Sequence, residues 1–203
     1  MSDMSDGLGL GLSCDLLNFN AIISNSVQSP TDYHFPLNAE QDDSFGTINW
    51  SSVNSVKADD INFAQADFNQ YETSEDTKYI KATNFNFTDE QIPDDYTIDG
   101  IEIIVEVNSF YVEEDTISTI NVGSVKGGVI GENYFTIDSN FLLDSMTEMV
   151  FGGATDKCGE TWEPSDIKAS DFGIVITVNN YDDGGRDNTV YINFTKLRIY
   201  ISE

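Results

Sequence analysis

Residues Phe151 to Glu203 read FGGATDKCGETWEPSDIKASDFGIVITVNNYDDGGRDNTVYINFTKLRIYISE, and this stretch decides the fold. Phe172 to Val178 is a short apolar run of β-branched character, bounded upstream by Gly, Pro and Asp signals. In the closing run, Val190, Ile192 and Phe194 share one parity, while Leu197, Ile199 and Ile201 share the other. A one-residue phase change within an alternating strand predicts a β-bulge near Thr195-Lys196, or a strand that passes from one sheet to another. Between the apolar runs lie the Gly152-Gly153 break and one short helical signal, Pro164 to Ser170, with Thr161 as its expected cap.

Working upstream, Ile101, Ile103, Val105 and Val107 alternate with Glu102, Ile104, Glu106 and Asn108, giving one apolar and one largely acidic face. Ile61 to Ala64 and Thr77 to Phe87 are weaker strands, the latter followed by a Pro93-Asp94-Asp95 turn. Ile117 to Val125, Tyr134 to Ile137 and Glu148 to Phe151 complete the set, with breaks expected at Gly123, Gly127-Gly128 and Gly152-Gly153. Many short, regularly interrupted strands predict an all-β chain, an antiparallel, jelly-roll-like β-sandwich over residues 46–203. Residues 1–45 show no clean period and read as an extended N-terminal arm, loosened by Gly-Leu-Gly-Leu-Gly-Leu. Within the arm, Leu16, Leu17, Phe19, Ile22 and Ile23 are too apolar to stand alone and too few to make a core. They are expected to pack on the body or on a neighbouring subunit.

The order of elements resembles a β-sandwich module of structural proteins in tailed phages and related viruses. Trp162 and Phe172-Gly173 stand at that module's recurring positions, and the chain ends in an apolar-Tyr strand. A weaker match runs upstream through Trp50, Asp67 with Phe68 and Tyr71, Ala82 to Phe87 leading to Ile92-Pro93, and Ile98 to Ile101, so that it spans residues 47–201. The resemblance implies a virion structural protein, in capsid decoration, tail or fibre, made in the host cytoplasm and located in the virion. Its implied partners are other virion proteins and further copies of itself as a homo-oligomer. Since each matched piece is a strand or turn signal, the resemblance implies no site.

Charge narrows the partners. Nine Lys and Arg against 36 Asp and Glu leave a net charge of −27. No basic cluster exists to displace counterions from nucleic acid or to meet an anionic membrane, so neither is expected as a partner. The N-terminus has no basic flank or long apolar run, so neither a secretory signal nor a membrane span is expected there. Cys14 and Cys158 lie far apart without partner spacing and read as two separate thiols.

The chemistry-bearing residues are sparse. The single His34 lies in the arm with no nucleophile motif in the chain, so it reads as a surface residue, and no catalytic residue is assigned. Two distant Cys and one His close no zinc site, and no phosphate-binding loop motif is present, so no metal or other cofactor is expected. Tyr181, Asp182, Asp183 and Asp187 mark a candidate ligand loop, because carboxylates crowd a Gly-rich turn as they do in calcium loops. The spacing matches no calcium motif and Arg186 supplies a counter-charge, so a plain hairpin loop is the simpler reading. Carboxylate pairs such as Glu113-Glu114 or Glu160 with Glu163 could serve glycoside hydrolysis, but 36 acids supply such pairs by chance. The alternative to a virion structural role is a glycan-binding module, with a host-surface glycan as candidate partner. Tyr33, Tyr71, Tyr111, Tyr134 and Tyr181 would discriminate: one groove favours sugar, scatter favours architecture.

A charge of −27 on one small domain repels itself, and salt screens that repulsion. The melting temperature is therefore expected to rise from dilute buffer to molar NaCl. A flat response to NaCl, with calcium alone effective, would make the acids metal ligands and not a solvated surface.

Overall fold

The computed structural model describes residues 28–68, 74–110, 117–139, 145–181 and 188–203. The strands are β1 (Ser29–Pro30), β2 (Asn38–Asp42), β3 (Ala64–Phe68), β4 (Glu75–Asp76), β5 (Tyr79–Thr83), β6 (Thr97–Phe110), β7 (Ile117–Lys126), β8 (Val129–Ser139), β9 (Thr147–Gly152), β10 (Gly173–Tyr181) and β11 (Asn188–Ser202). One helical turn, α1 (Pro164–Lys168), and one 3-10 turn, Val53–Lys57, join them. All strand pairs are antiparallel. Five strands form the first sheet in the order β1-β11-β6-β9, with β3 also on β11; six form the second in the order β2-β5-β10-β7-β8, with β4 on β10. The chain is an all-β sandwich.

Alternation explains the two layers. Ile101, Ile103, Val105 and Val107 of β6 and Val190, Ile192, Leu197, Ile199 and Ile201 of β11 face inward from the first sheet. They meet Ile80 and Ala82 of β5, Ile120 and Val122 of β7, and Ile174, Ile176 and Val178 of β10. Aromatic side chains close one end. Phe172 lies 5.4 Å from Trp162, 6.1 Å from Phe85 and 6.5 Å from Phe87, measured between ring centroids. Asn84 and Asn86 hold the left-handed backbone between these rings, with φ of 60° and 57°, a region Asn tolerates better than most residues. At Gly173 a Cβ would come within 2.1 Å of the Ala82 carbonyl oxygen, so only glycine lets β10 lie beside β5 here.

The expected phase change is present. Ile192 pairs with Val107 but Thr195 pairs with Val105, so β11 carries one extra residue and the bulge falls at Asn193-Phe194. Val190 and Ile192 enter the main core, whereas Phe194 packs on Phe35 and under Lys196.

Several expectations are corrected. Residues 28–45 belong to the sandwich and not to an arm: β2 pairs with β5, β1 pairs with β11, and His34 and Leu197 exchange backbone hydrogen bonds. The arm residues Leu16, Leu17, Phe19, Ile22 and Ile23 lie outside the described residues. Ile61 is 88% exposed, because β3 begins only at Ala64. Gly123 does not break β7. The break is the two-residue turn at Gly127-Gly128, whose φ values of 57° and 76° fit the twist-matched hairpin turn. The helix is capped by Glu163 in place of Thr161, and the Glu163 backbone N–H donates to Asp166 at 2.9 Å. Cys158 is a buried free thiol.

Candidate functional site

The outer face of the six-stranded sheet is built in cross-strand rows. Register places Asp42 beside Tyr79, Glu40 beside Lys81 and Asn38 beside Thr83. Lys81 pairs with Val175, Val175 with Gly123, and Gly123 with Tyr134. Tyr79 and Tyr134 therefore start from strands three steps apart, about 14 Å. Their hydroxyls nevertheless meet at 2.7 Å, and the ring planes lie within 12° of each other. Both rings must lie along the sheet surface to reach this far, and Val175 is fully buried beneath them.

Glycine makes the floor possible. A Cβ at Gly123 would sit 2.6 Å from Tyr134 Cε1, so the tyrosine ring occupies the space a side chain would fill. Phe45 stacks on Tyr79 at 5.1 Å and 21°, leaving Tyr79 only 7% exposed, while Tyr134 keeps 37%. The result is a row of rings in which Tyr79 is covered, while Tyr134 on one side and Phe45 stacked on Tyr79 keep part of their surface open. Burial first, and the Tyr134 bond second, push the Tyr79 phenol well above its usual range, so its hydroxyl stays protonated at neutral pH.

Polar groups surround the row. Thr136 Oγ1 donates to Asn121 Oδ1 at 2.7 Å, so Asn121 keeps its two amide hydrogens without a described partner. Lys81 Nζ crosses toward the β7–β8 turn and donates to the Gly128 carbonyl at 2.9 Å. At the other end of β5, about 13 Å along the strand from Tyr79, a cavity of about 300 Å3 is lined by Asn38, Ala39, Glu40, Asn54, Lys57 and Thr83. That volume lies at the lower end of the range for small-ligand sites.

On the outer face of the five-stranded sheet, the aromatic group around Glu102 is self-neutralised instead. Glu102 accepts hydrogen bonds from the Tyr33 and Tyr200 hydroxyls and pairs with Arg198 at 2.8 Å. The Arg198 guanidinium lies over the Tyr33 ring at 4.7 Å and the Tyr200 ring at 5.1 Å. Burial opposes charge on Glu102, but the tyrosine and arginine donors outweigh it and hold the carboxyl below its usual range. Burial, then Glu102, push the Tyr33 phenol up to about 12. Since the folded carboxyl is depressed, its contribution to stability is present above the ordinary carboxylate range and lost as pH falls through the lowered value.

The structure separates the residues singled out from sequence. Asp182, Asp183, Asp187, Tyr71 and Tyr111 lie outside the described residues, and Tyr181 is the last residue of β10. The hairpin reading of that loop is corrected: β10 lies in the six-stranded sheet and β11 in the five-stranded one, so the segment joins two layers. Tyr33 and Tyr134 occupy opposite faces. His34 is not a surface residue. It is half-buried, 3.0 Å from the Phe85 carbonyl through Nδ1 and 2.7 Å from Gln91 Nε2 through Nε2, contacts that the neutral ring protonated on Nδ1 satisfies. Among the described residues no group of three His, Cys, Asp or Glu side chains converges as a metal site. No described helix is long and apolar enough to cross a membrane. Tyr79, Phe45, Asn121 and the role of Gly123 escaped the sequence reading. The available signal was a glycine inside an alternating strand, which marks a close approach.

No protein-family model and no curated protein matches the chain. Similar solved structures include an exo-β-agarase, with 8% identity and a TM-score of 0.40 over 83% of this chain and 25% of that one. Another is TmCBM61, solved in complex with β-1,4-galactotriose, with 10% identity and a TM-score of 0.33 over 79% of this chain and 86% of that one. This chain thus spans a quarter of the length of the agarase. Identities this low concern the fold alone.

Replacing Gly123 with Ala drives a methyl into the Tyr134 ring and breaks the tyrosine pair. Urea denaturation should show a loss on the order of 1–3 kcal/mol, as for other overpacked sites. A neutral result would mean that the ring does not rest on the glycine.

Proposed function

We propose that this chain is a non-catalytic glycan-binding module whose ligand lies on the outer face of the six-stranded sheet. The carrying observation is the part-open Tyr134 ring laid over Gly123, beside the Phe45-covered Tyr79 ring and with the Asn121 amide on the neighbouring strand. A flat aromatic surface takes the C–H face of a pyranose, while amide and hydroxyl groups beside it bond the ring hydroxyls. The net charge of −27 favours a neutral sugar over a sulfated or carboxylated one. The 300 Å3 cavity extends the polar surface along β5 and suits one further sugar unit of the same chain.

Affinity electrophoresis in neutral polysaccharides, and calorimetry with β-1,4-galactotriose among other oligosaccharides, test this. At least one neutral glycan should retard the wild type. Tyr134→Ala should weaken binding at least about tenfold, roughly 1.4 kcal/mol, whereas Val150→Ala on the opposite sheet should leave it unchanged. Binding that ignores Tyr134→Ala would place the sugar elsewhere, and no binding to any glycan would end the proposal.

A virion role, in capsid, tail or fibre and as a homo-oligomer, is a separate proposal about the assembly that carries the module. It rests on the resemblance and on the apolar residues Leu16 to Ile23. Because residues 29–42 are strands of both sheets, deletion of the arm stops at residue 27. That deletion is expected to lower the mass measured by light scattering or to abolish capture by the assembled particle. If both are unaffected, the arm makes no such contact.

A further inference from the structure

A second site lies on the other sheet. Glu106 projects from the outer face of β6, where its cross-strand partner on β9 is another acid, Glu148. Lys196 holds Glu148 at 2.9 Å, but among the described residues no basic side chain pairs with Glu106 or with Asp59. These two carboxylates converge on one amide: Asn193 Nδ2 donates to Glu106 Oε2 at 2.6 Å and approaches Asp59 Oδ1 at 3.4 Å. Asn193 stands there because the β11 bulge falls at 193–194. Asn108 shares the outer face of β6 with Glu106, two residues along.

Two buried amide oxygens on this face have no donor. Asn108 is 9% exposed and Asn193 5%, and neither Oδ1 has a hydrogen-bond partner. A buried carbonyl oxygen left unpaired costs on the order of its desolvation. Turning the Asn193 amide over does not repair this. The oxygen would then face both carboxylates, and only a cation makes that arrangement favourable. Two carboxylates and two amide carbonyls, with no thiol or imidazole among them, are hard oxygen ligands. Calcium takes six to eight of these with loose geometry and accepts water for the remainder.

We propose that Asp59, Glu106, Asn108 and Asn193 bind a calcium ion that fixes the β11 bulge to the Asp59 loop. Asn193 turns its oxygen inward when the ion enters. The strong negative field of the chain raises the local concentration of divalent cations.

Melting of the full chain in calcium chloride, against magnesium chloride at matched ionic strength, reads this out. The wild type should show a saturable, calcium-selective rise, on the order of 5 °C once calcium is about a hundredfold above its dissociation constant. Asp59→Asn, at an exposed side chain, should fold normally and lose most of that rise. Asn193→Asp should melt lower without calcium and gain a larger calcium-dependent rise, an outcome that a merely structural role would not give. Equal effects of the two salts mean screening only. A calcium rise unchanged in Asp59→Asn, or absent from the wild type, as expected if water satisfies the two amide oxygens, overturns the proposal.

Discussion

The pairing of β6 with β11 constrains everything else. These are the two longest strands, 14 and 15 residues, and their antiparallel register runs from Thr97–Ser202 to Phe110–Thr189. A strand shows alternate residues to opposite faces, so this register fixes which ten Ile, Leu and Val side chains enter the core. It also fixes what points outward: Glu102 meets Arg198, Ile104 meets Lys196, and Glu106 comes beside Asn193. Without the extra residue at Asn193-Phe194, one half of β11 would turn its apolar side chains to water.

The two outer faces show how similar materials give different surfaces. On the five-stranded sheet, aromatic rings lie beside Lys and Arg, and hydroxyls spend their donors on Glu102. The aromatic end of that face, around Glu102, uses its hydroxyl donors internally and has little left to offer a sugar. On the six-stranded sheet the rings bond each other through their hydroxyls, and one ring keeps an open surface. The deciding element is Gly123, since a flat ring needs a place on the strand where no side chain stands.

The acidic surface has two roles in this picture. Many of the described carboxylates lie in exposed turns, where they are solvated and screened by salt. Asp59 and Glu106 differ because a bulge and a crossing loop bring them to one buried amide. Composition does not distinguish these cases, since the residue types are the same and only the surrounding backbone differs.

The sequence determined the fold class, most of the strands after residue 97 and the one-residue phase change in β11, because period-two alternation is a local property; that the phase change is a bulge and not a crossing between sheets came from the structure. It singled out Trp162 and Phe172 only as recurring positions of the resembled module, and the structure buries both. It misjudged residues 29–42, whose short, polar strands form only because β5 and β11 offer unpaired edges, a fact set by distant segments. The meeting of Tyr79 with Tyr134, and of Asp59 with Glu106 and Asn193, joins residues 55, 47 and 134 positions apart. No periodicity encodes such contacts. They exist because sheet register and a bulge carry side chains from separate strands to one place, and only the tertiary structure decides that.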